Sequence, residues 1–330
     1  MLILTKSVLV MMIGFITSII VALILIPILK RTKVKQQLSI YLEDAHRSKK
    51  GTPTMGGLIF IIPTIVIFLI LFFTYKINLN YSIIIVLFTF ISYGLIGFID
   101  DYLIIKRKNN KGLSEASKLL MQLVIATIFF YLFMRAGNEP LLWVHSLNIK
   151  LNIGWLYGLF ILLVLVASSN AVNITDGLDG LAGGLAVTAF LAFGIITWGT
   201  GWLDGYEEVA LLCFTLIGTI LGFLVFNVSP AKVFMGDTGS LALGATIGAI
   251  AIITRHELLL LVIGIVFVIE TMSCVIQRIY YKFTKKRIFP MTPIHHTFEK
   301  MGWSERDIVK LFWIIGLVGA MLAIIYGVWI

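Results

Sequence analysis

The chain has 330 residues, 59% apolar and only 13% charged, with a mean hydropathy of +1.00. A soluble domain is roughly 45–50% apolar and about a quarter charged, so a soluble enzyme is excluded, and the apolar content suffices for about ten spanning helices of about 20 residues. The net charge of +9 reads as the Lys and Arg excess that holds cytoplasmic loops on their side of a bilayer, with no call for a nucleic-acid partner.

Apolar runs bounded by charge, Gly, Pro or Asn predict ten segments, at about 7–29, 56–75, 80–99, 118–135, 153–169, 181–199, 207–226, 240–254, 258–281 and 309–329. The first is longer than a signal-peptide core and has no small-residue cleavage site after it, so it reads as a retained helix. Cys213 and Cys274 both lie in apolar runs and suggest no disulfide framework. Gly218 with Gly222, and Gly244 with Gly248, have the small-xxx-small spacing of closely packed membrane helices. No repeat or domain boundary stands out, so residues 1–330 read as one integral membrane domain.

Orientation follows from the basic residues. One set of ends and loops holds Lys6, Lys76, Arg135, Lys150 and Arg255; the loops after the odd-numbered segments hold the other 21 of 26. The expectation is therefore an all-α polytopic membrane protein with ten transmembrane helices, both termini outside and five cytoplasmic loops. All chemically suggestive residues then fall on the inner face: Lys49 to Gly57, the Asp100-Asp101 pair, residues 170–180, Asn227 with Phe234 to Asp237, and Pro293 to Glu299. The active side is expected to be cytoplasmic.

Adjacent carboxylates at the end of an apolar helix are costly unless a cation or partner compensates them, although a solvated helix end explains such a pair about as well. The third inner loop tips the balance, because it carries Asp176 and Asp179 with no Lys or Arg. Asp237 adds a carboxylate at similar depth. A hard cation such as Mg²⁺ shares itself between one or two carboxylates and substrate phosphates. Lys49, Lys50 and Lys118 suit the remaining phosphate charge, though each alone reads as an ordinary inner-loop base. Gly177, Gly180 and Gly236 allow backbone N–H groups near an anion. These features point to a nucleotide diphosphate, its metal and a lipid co-substrate. His295 and His296, adjacent and so differently directed, offer one acid–base or phosphate-contacting group. Glu270, inside an apolar run, is expected to be paired or functional.

Six stretches, KKGTPTMGG, GFIDDY, GLSEASK, NAVNITDGLDG, FNVSPAKVFMGDTGSLALG and MTPIHHTFEKMGW, closely resemble in order the motifs of the phospho-N-acetylmuramoyl-pentapeptide transferases. These belong to the polyprenyl-phosphate N-acetylhexosamine-1-phosphate transferases, and the resemblance covers about His46 to Trp303. It implies a homodimer in the bacterial plasma membrane and Mg²⁺-dependent transfer of phospho-N-acetylmuramoyl-pentapeptide from UDP to undecaprenyl phosphate, giving lipid I and UMP. By position, Asp237 corresponds to the Mg²⁺ ligand and Asp100 to a base or nucleophile, with Asp101 its partner. Asn173, Asp176 and Asp179 match the nucleotide-contacting stretch, with Asp179 toward the uracil, Gly177 and Leu178 lining it and Phe234 stacking on the base. Lys118 and His295 match catalytic positions; Lys49, Thr54, Asn227, Gln277 and His296 match other residues around the substrate. The family's ninth helix is broken and splayed. Thr297 stands where the family usually has a third histidine, which the other motifs suggest is dispensable. The nearest rival is a sister enzyme that transfers N-acetylglucosamine 1-phosphate; a more distant one is an ion-coupled transporter, whose site would lie at the midplane.

Overall fold

The computed structural model describes residues 2–31, 51–107, 112–144, 149–199 and 206–328. Among these are twelve helices and one hairpin: α1 (Leu2–Arg31), α2 (Leu58–Phe73), α3 (Tyr81–Arg107), α4 (Glu115–Arg135), β1 (Leu141–Val144), β2 (Ile149–Asn152), α5 (Leu156–Thr175), α6 (Leu181–Gly199), α7 (Tyr206–Asn227), α8 (Gly236–Ile253), α9 (Leu259–Ile263), α10 (Ile265–Thr284), α11 (Ile294–Lys300) and α12 (Glu305–Val328). Eight of them, α1, α3 to α8 and α12, are long and apolar enough to cross a membrane. The chain is a polytopic, mainly α-helical membrane protein.

Two of the ten expected segments depart from that standard. Helix α2 is apolar apart from Thr64 but has 16 residues, about 24 Å of helix against the roughly 30 Å of a hydrocarbon core. The ninth segment breaks at Gly264, leaving five-residue α9 and α10, whose last turns carry Arg278 and Lys282. The hairpin and α11 have no counterpart among the expected segments; β1 and β2 pair antiparallel, with Leu142 opposite Leu151.

Helix α8 is the axis of the bundle. Every residue from Thr238 to Ile253 is buried, and α3 and α5 are its main neighbours, while α7 lies between α1 and α6. The expected small-residue spacings are used here. A side chain at Gly244 or Gly248 would run into Ser168 of α5, and one at Gly218 into Met11 of α1. Without those side chains the helices approach closely enough for backbone to meet backbone.

Segment ends differ in ways that decide where the chemistry lies. Helix α3 continues to Arg107, so Asp100 and Asp101 occupy its interior face and are both buried rather than wetted at an end. The basic Lys106 and Arg107 close it, as the negative end of a helix dipole favours. Helix α5 continues to Thr175 and therefore carries Asn170 and Asn173. Ser114 caps α4 by accepting from the Ser117 N–H, placing Lys118 in its first turn. Helix α8 starts at Gly236, so Asp237 stands in its first turn too.

Candidate active site

Asp237 is the meeting point of three helices. Its Oδ2 lies 2.5 Å from the Lys118 ammonium of α4, and its Oδ1 accepts from Asn173 Nδ2 of α5 at 2.8 Å. The same ammonium is 3.2 Å from Asp100 Oδ2 of α3. Asp100 Oδ1 takes the Leu113 N–H at 2.7 Å, so the loop before α4 folds over it. Asn173 Nδ2 is also 2.8 Å from Ser240 Oγ, one turn beyond Asp237. Asp237 and Lys118 keep 24% and 20% of their side-chain surface open, against 6% for Asp100. The cluster is thus partly open to solvent, with two carboxylates around one cation.

Asp101 faces the other way. Its carboxylate holds the N–H and hydroxyl of Thr238 and the N–H of Asp237, the orphan donors of the first turn of α8. That turn is entered through Gly236 at φ +74°, where a side chain would meet Asp101 and Thr54. Thr54 is buried behind it. The stretch 53–57 is laced to 234–235 by main-chain bonds from Phe234 N to Pro53 O and from Gly56 N to Phe234 O, both 2.8 Å. Phe234 is half-buried at this junction. Lys49 lies outside the described residues.

The loop after α5 forms one side of the site. Asp176 and Asn173 are partly open, Gly177 is exposed, and Leu178 and Asp179 are buried. Asp179 Oδ2 accepts from Ala231 N at 3.0 Å, and Asn227 bridges Gly180 N and Val233 O at 3.1 and 3.0 Å. Asp179 and Asn227 therefore hold the 176–180 and 228–233 loops together. Gln277 is similarly committed: its amide binds Phe289 O at 3.1 Å and the N–H groups of Ile288 and Phe289 at 2.9 and 3.1 Å.

The two histidine rings touch edge to face, with centroids 4.1 Å apart, but each binds a different carboxylate. His295 Nδ1 is 3.0 Å from Glu270 Oε2, whereas His296 Nδ1 is 2.6 Å from Glu299 Oε2. A side chain at Gly177 would strike the His295 ring, so this imidazole overlies the 176–180 loop. Thr297 turns from the site and gives its hydroxyl to Met291 O at 2.5 Å.

Among the described residues no three His, Cys, Asp or Glu gather into a ready-made metal cage. Mg²⁺ needs none: one or two carboxylates plus substrate phosphates and water satisfy it. Asp237 and Asp100, all-oxygen donors that already share a cation, fit such an ion.

Residues 83–255 match the family described as Glycosyl transferase family 4, and residues 49–61 match the phospho-N-acetylmuramoyl-pentapeptide-transferase signature 1. Proteins named phospho-N-acetylmuramoyl-pentapeptide-transferase are similar along nearly the whole chain. That of Geobacillus sp. (strain WCH70) is 44% identical over 323 residues, 98% of each chain. That of Halalkalibacterium halodurans is 45% identical over 320 residues, 97% of each, and that of Bacillus subtilis (strain 168) 44% over 318 residues, 96% of each. The chain belongs to the phospho-N-acetylmuramoyl-pentapeptide-transferase family. Membership makes it a multi-pass bacterial membrane enzyme and removes the transporter reading, in keeping with a polar cluster at one end of the bundle.

Three features of the site escape a linear reading. Thr238 and Ser240 are ordinary helix residues until the fold shows what they hold. Glu305 joins the site by accepting from Asp179 N at 2.7 Å, 126 residues away in sequence.

Proposed function

We propose that the Lys118–Asp237–Asp100 cluster is where phospho-N-acetylmuramoyl-pentapeptide passes from its UDP carrier to undecaprenyl phosphate, giving lipid I and UMP. The observation that carries this reading is the single, partly open ammonium shared by two carboxylates at 2.5 and 3.2 Å. Both substrates are anionic, so charge must be neutralised before the phosphates can approach, and positioning is the remaining task. Asp237 would hold Mg²⁺, which would supply positive charge to the diphosphate. Lys118 adds a second cation beside it, and Asn173 fixes the rotamer of Asp237.

The 176–180 loop, with Phe234 nearby, receives the nucleotide: Asp176, Gly177 and Leu178 line it, and Asp179 and Asn227 keep its shape. Thr54, Gln277 and His296 support the surrounding loops, while Lys49 contributes charge. Asp100 accepts the proton of the lipid phosphate. An oxygen of that phosphate attacks the sugar-side phosphorus, and the bond to the bridging oxygen breaks. UMP leaves with the electron pair, and His295 faces the diphosphate.

In this reading α2 and the α9–α10 pair complete ten spans, both termini lie outside and the cluster faces the cytoplasm. A homodimer in the plasma membrane is the proposed assembly. The test supplies purified protein with undecaprenyl phosphate and either UDP-N-acetylmuramoyl-pentapeptide or UDP-N-acetylglucosamine. UMP and a lipid-linked product should form only with the first; turnover of the second alone would assign the chain to the sister reaction.

A further inference from the structure

Glu270 is fully buried on α10, beside Val266 and Phe267, while Ile269, Met272, Val275 and Ile276 of the same helix face outward. A carboxylate so placed is costly unless it is matched, and packing alone would be better served by an apolar residue. Its Oε2 meets His295 Nδ1 at 3.0 Å, and His295 is equally buried. A carboxylate only accepts, so Nδ1 carries a proton and Nε2 is the free end of the ring, which must carry one too before it can donate to an anion. Among the described residues Nε2 has no hydrogen-bond partner, and it stands over exposed Gly177. Buried polar atoms are rarely left unmet.

Two turns along α10, Gln277 grips the main chain at Ile288 and Phe289. The returning chain is thus fastened to one face of α10 at two points, about 10 Å apart along the helix. Gln277 fixes where the chain starts back, and Glu270 fixes the imidazole at its end.

We propose that Glu270 is the positioning residue for His295: as the acceptor for Nδ1–H it fixes the tilt of the ring, so that an Nε2–H donates to an anionic oxygen of the nucleotide diphosphate above Gly177. The proposal rests on the transferase reading above, in which His295 faces that diphosphate. A hydrogen-bonding acceptor is what the ring needs from position 270. Glu270→Gln retains one on the Nδ1 side, and Glu270→Met removes it while keeping most of the volume.

The test is a double-mutant cycle on UMP release by the full chain, with thermal unfolding as the check on folding. His295→Ala should lower kcat by about 10²–10⁴-fold, the usual range for such a group. Glu270→Met should lower kcat at least about tenfold, since misplacing a reacting group by about 1 Å costs up to 10²-fold. Glu270→Gln should recover several-fold over Met, and Glu270→Met in the His295→Ala background should change nothing further. Equal losses in both backgrounds, a Gln variant no better than Met, or normal kcat for Glu270→Met would each overturn the positioning role while leaving the transferase reading intact. Near-normal kcat for His295→Ala would instead remove His295 from the machinery, and the proposal with it.

Discussion

Asp101 and Thr238 are joined twice: one carboxylate oxygen accepts the Thr238 N–H at 3.0 Å and its hydroxyl at 2.6 Å. The other oxygen takes the Asp237 N–H at 3.3 Å. Asp101 thus caps α8 from the side and sets the direction in which Asp237 leaves the helix. Gly97, one turn earlier on α3, lets the two helices come close enough for this, because a side chain there would strike the Asp237 backbone.

Asp101→Ala therefore leaves two buried amides and a hydroxyl without their acceptor, at a cost of about 1–3 kcal/mol. The thermal midpoint in detergent should fall by several degrees, and activity should fall as Asp237 shifts. An unchanged midpoint would mean that the clasp contributes nothing to α8.

Thr297 gives a contrasting expectation. Its hydroxyl serves Met291 O and makes no bond to the Lys118–Asp237 cluster. Thr297→His should leave kcat within a few-fold, and Thr297→Val should lower stability by about 1 kcal/mol with kcat preserved. A large gain from histidine in UMP release would show that the position takes part in turnover.

Much of this architecture is legible along the chain, and its limits have physical causes. Long apolar runs announce α1, α3 to α8 and α12 because a bilayer demands them. The break at Gly264 is hidden from hydropathy, since the run stays apolar on both sides of it, and only the family resemblance, with its broken ninth helix, implies it. Asp100 and Asp101 look like a solvated end until α3 is seen to continue past them to Arg107. The chemistry of Asp237, Lys118 and Asn173 can be suspected from residue type and motif, but their convergence spans up to 119 residues and belongs to the fold. Asp179, Asn227 and Gln277 match substrate-site motifs, and the structure shows them tying loops together.

At the far end of α8 a second polar group is packed. Glu257 accepts from the Tyr157 hydroxyl, and Arg255 reaches Leu141 O at 3.2 Å and lies 4.7 Å from the Phe133 ring. Burial pushes the Glu257 carboxyl from its usual 4.5 up to about 7, against the opposing pull of the Tyr157 hydroxyl and Arg255. A folded-state value above the unfolded one means no penalty below about pH 4.5, one that grows between about pH 4.5 and about pH 7, and its full size above that. Relative to wild type, Glu257→Gln should gain thermal stability on going from about pH 5 to about pH 8.5; parallel midpoints would contradict this.

The proposed orientation is open to labelling. With Cys213 and Cys274 replaced, a cysteine at Glu139 should react only with reagent outside the cell and one at Lys286 only from the cytoplasm. Reaction of both from one side would sink the ten-span arrangement.

The most direct test of the central claim is UMP release measured against Mg²⁺ concentration for wild type and Asp237→Asn, with thermal unfolding followed in parallel. Asparagine keeps the size and a hydrogen bond with Asn173 but removes the charge facing Lys118 and the metal. The account predicts a loss of at least about 10²–10⁴-fold, the range typical of removing one catalytic group. Raising Mg²⁺ should recover only part of it, and the folded state should persist. Near-normal turnover at ordinary Mg²⁺ would contradict the account and move the metal ligand to Asp100 or Asp176.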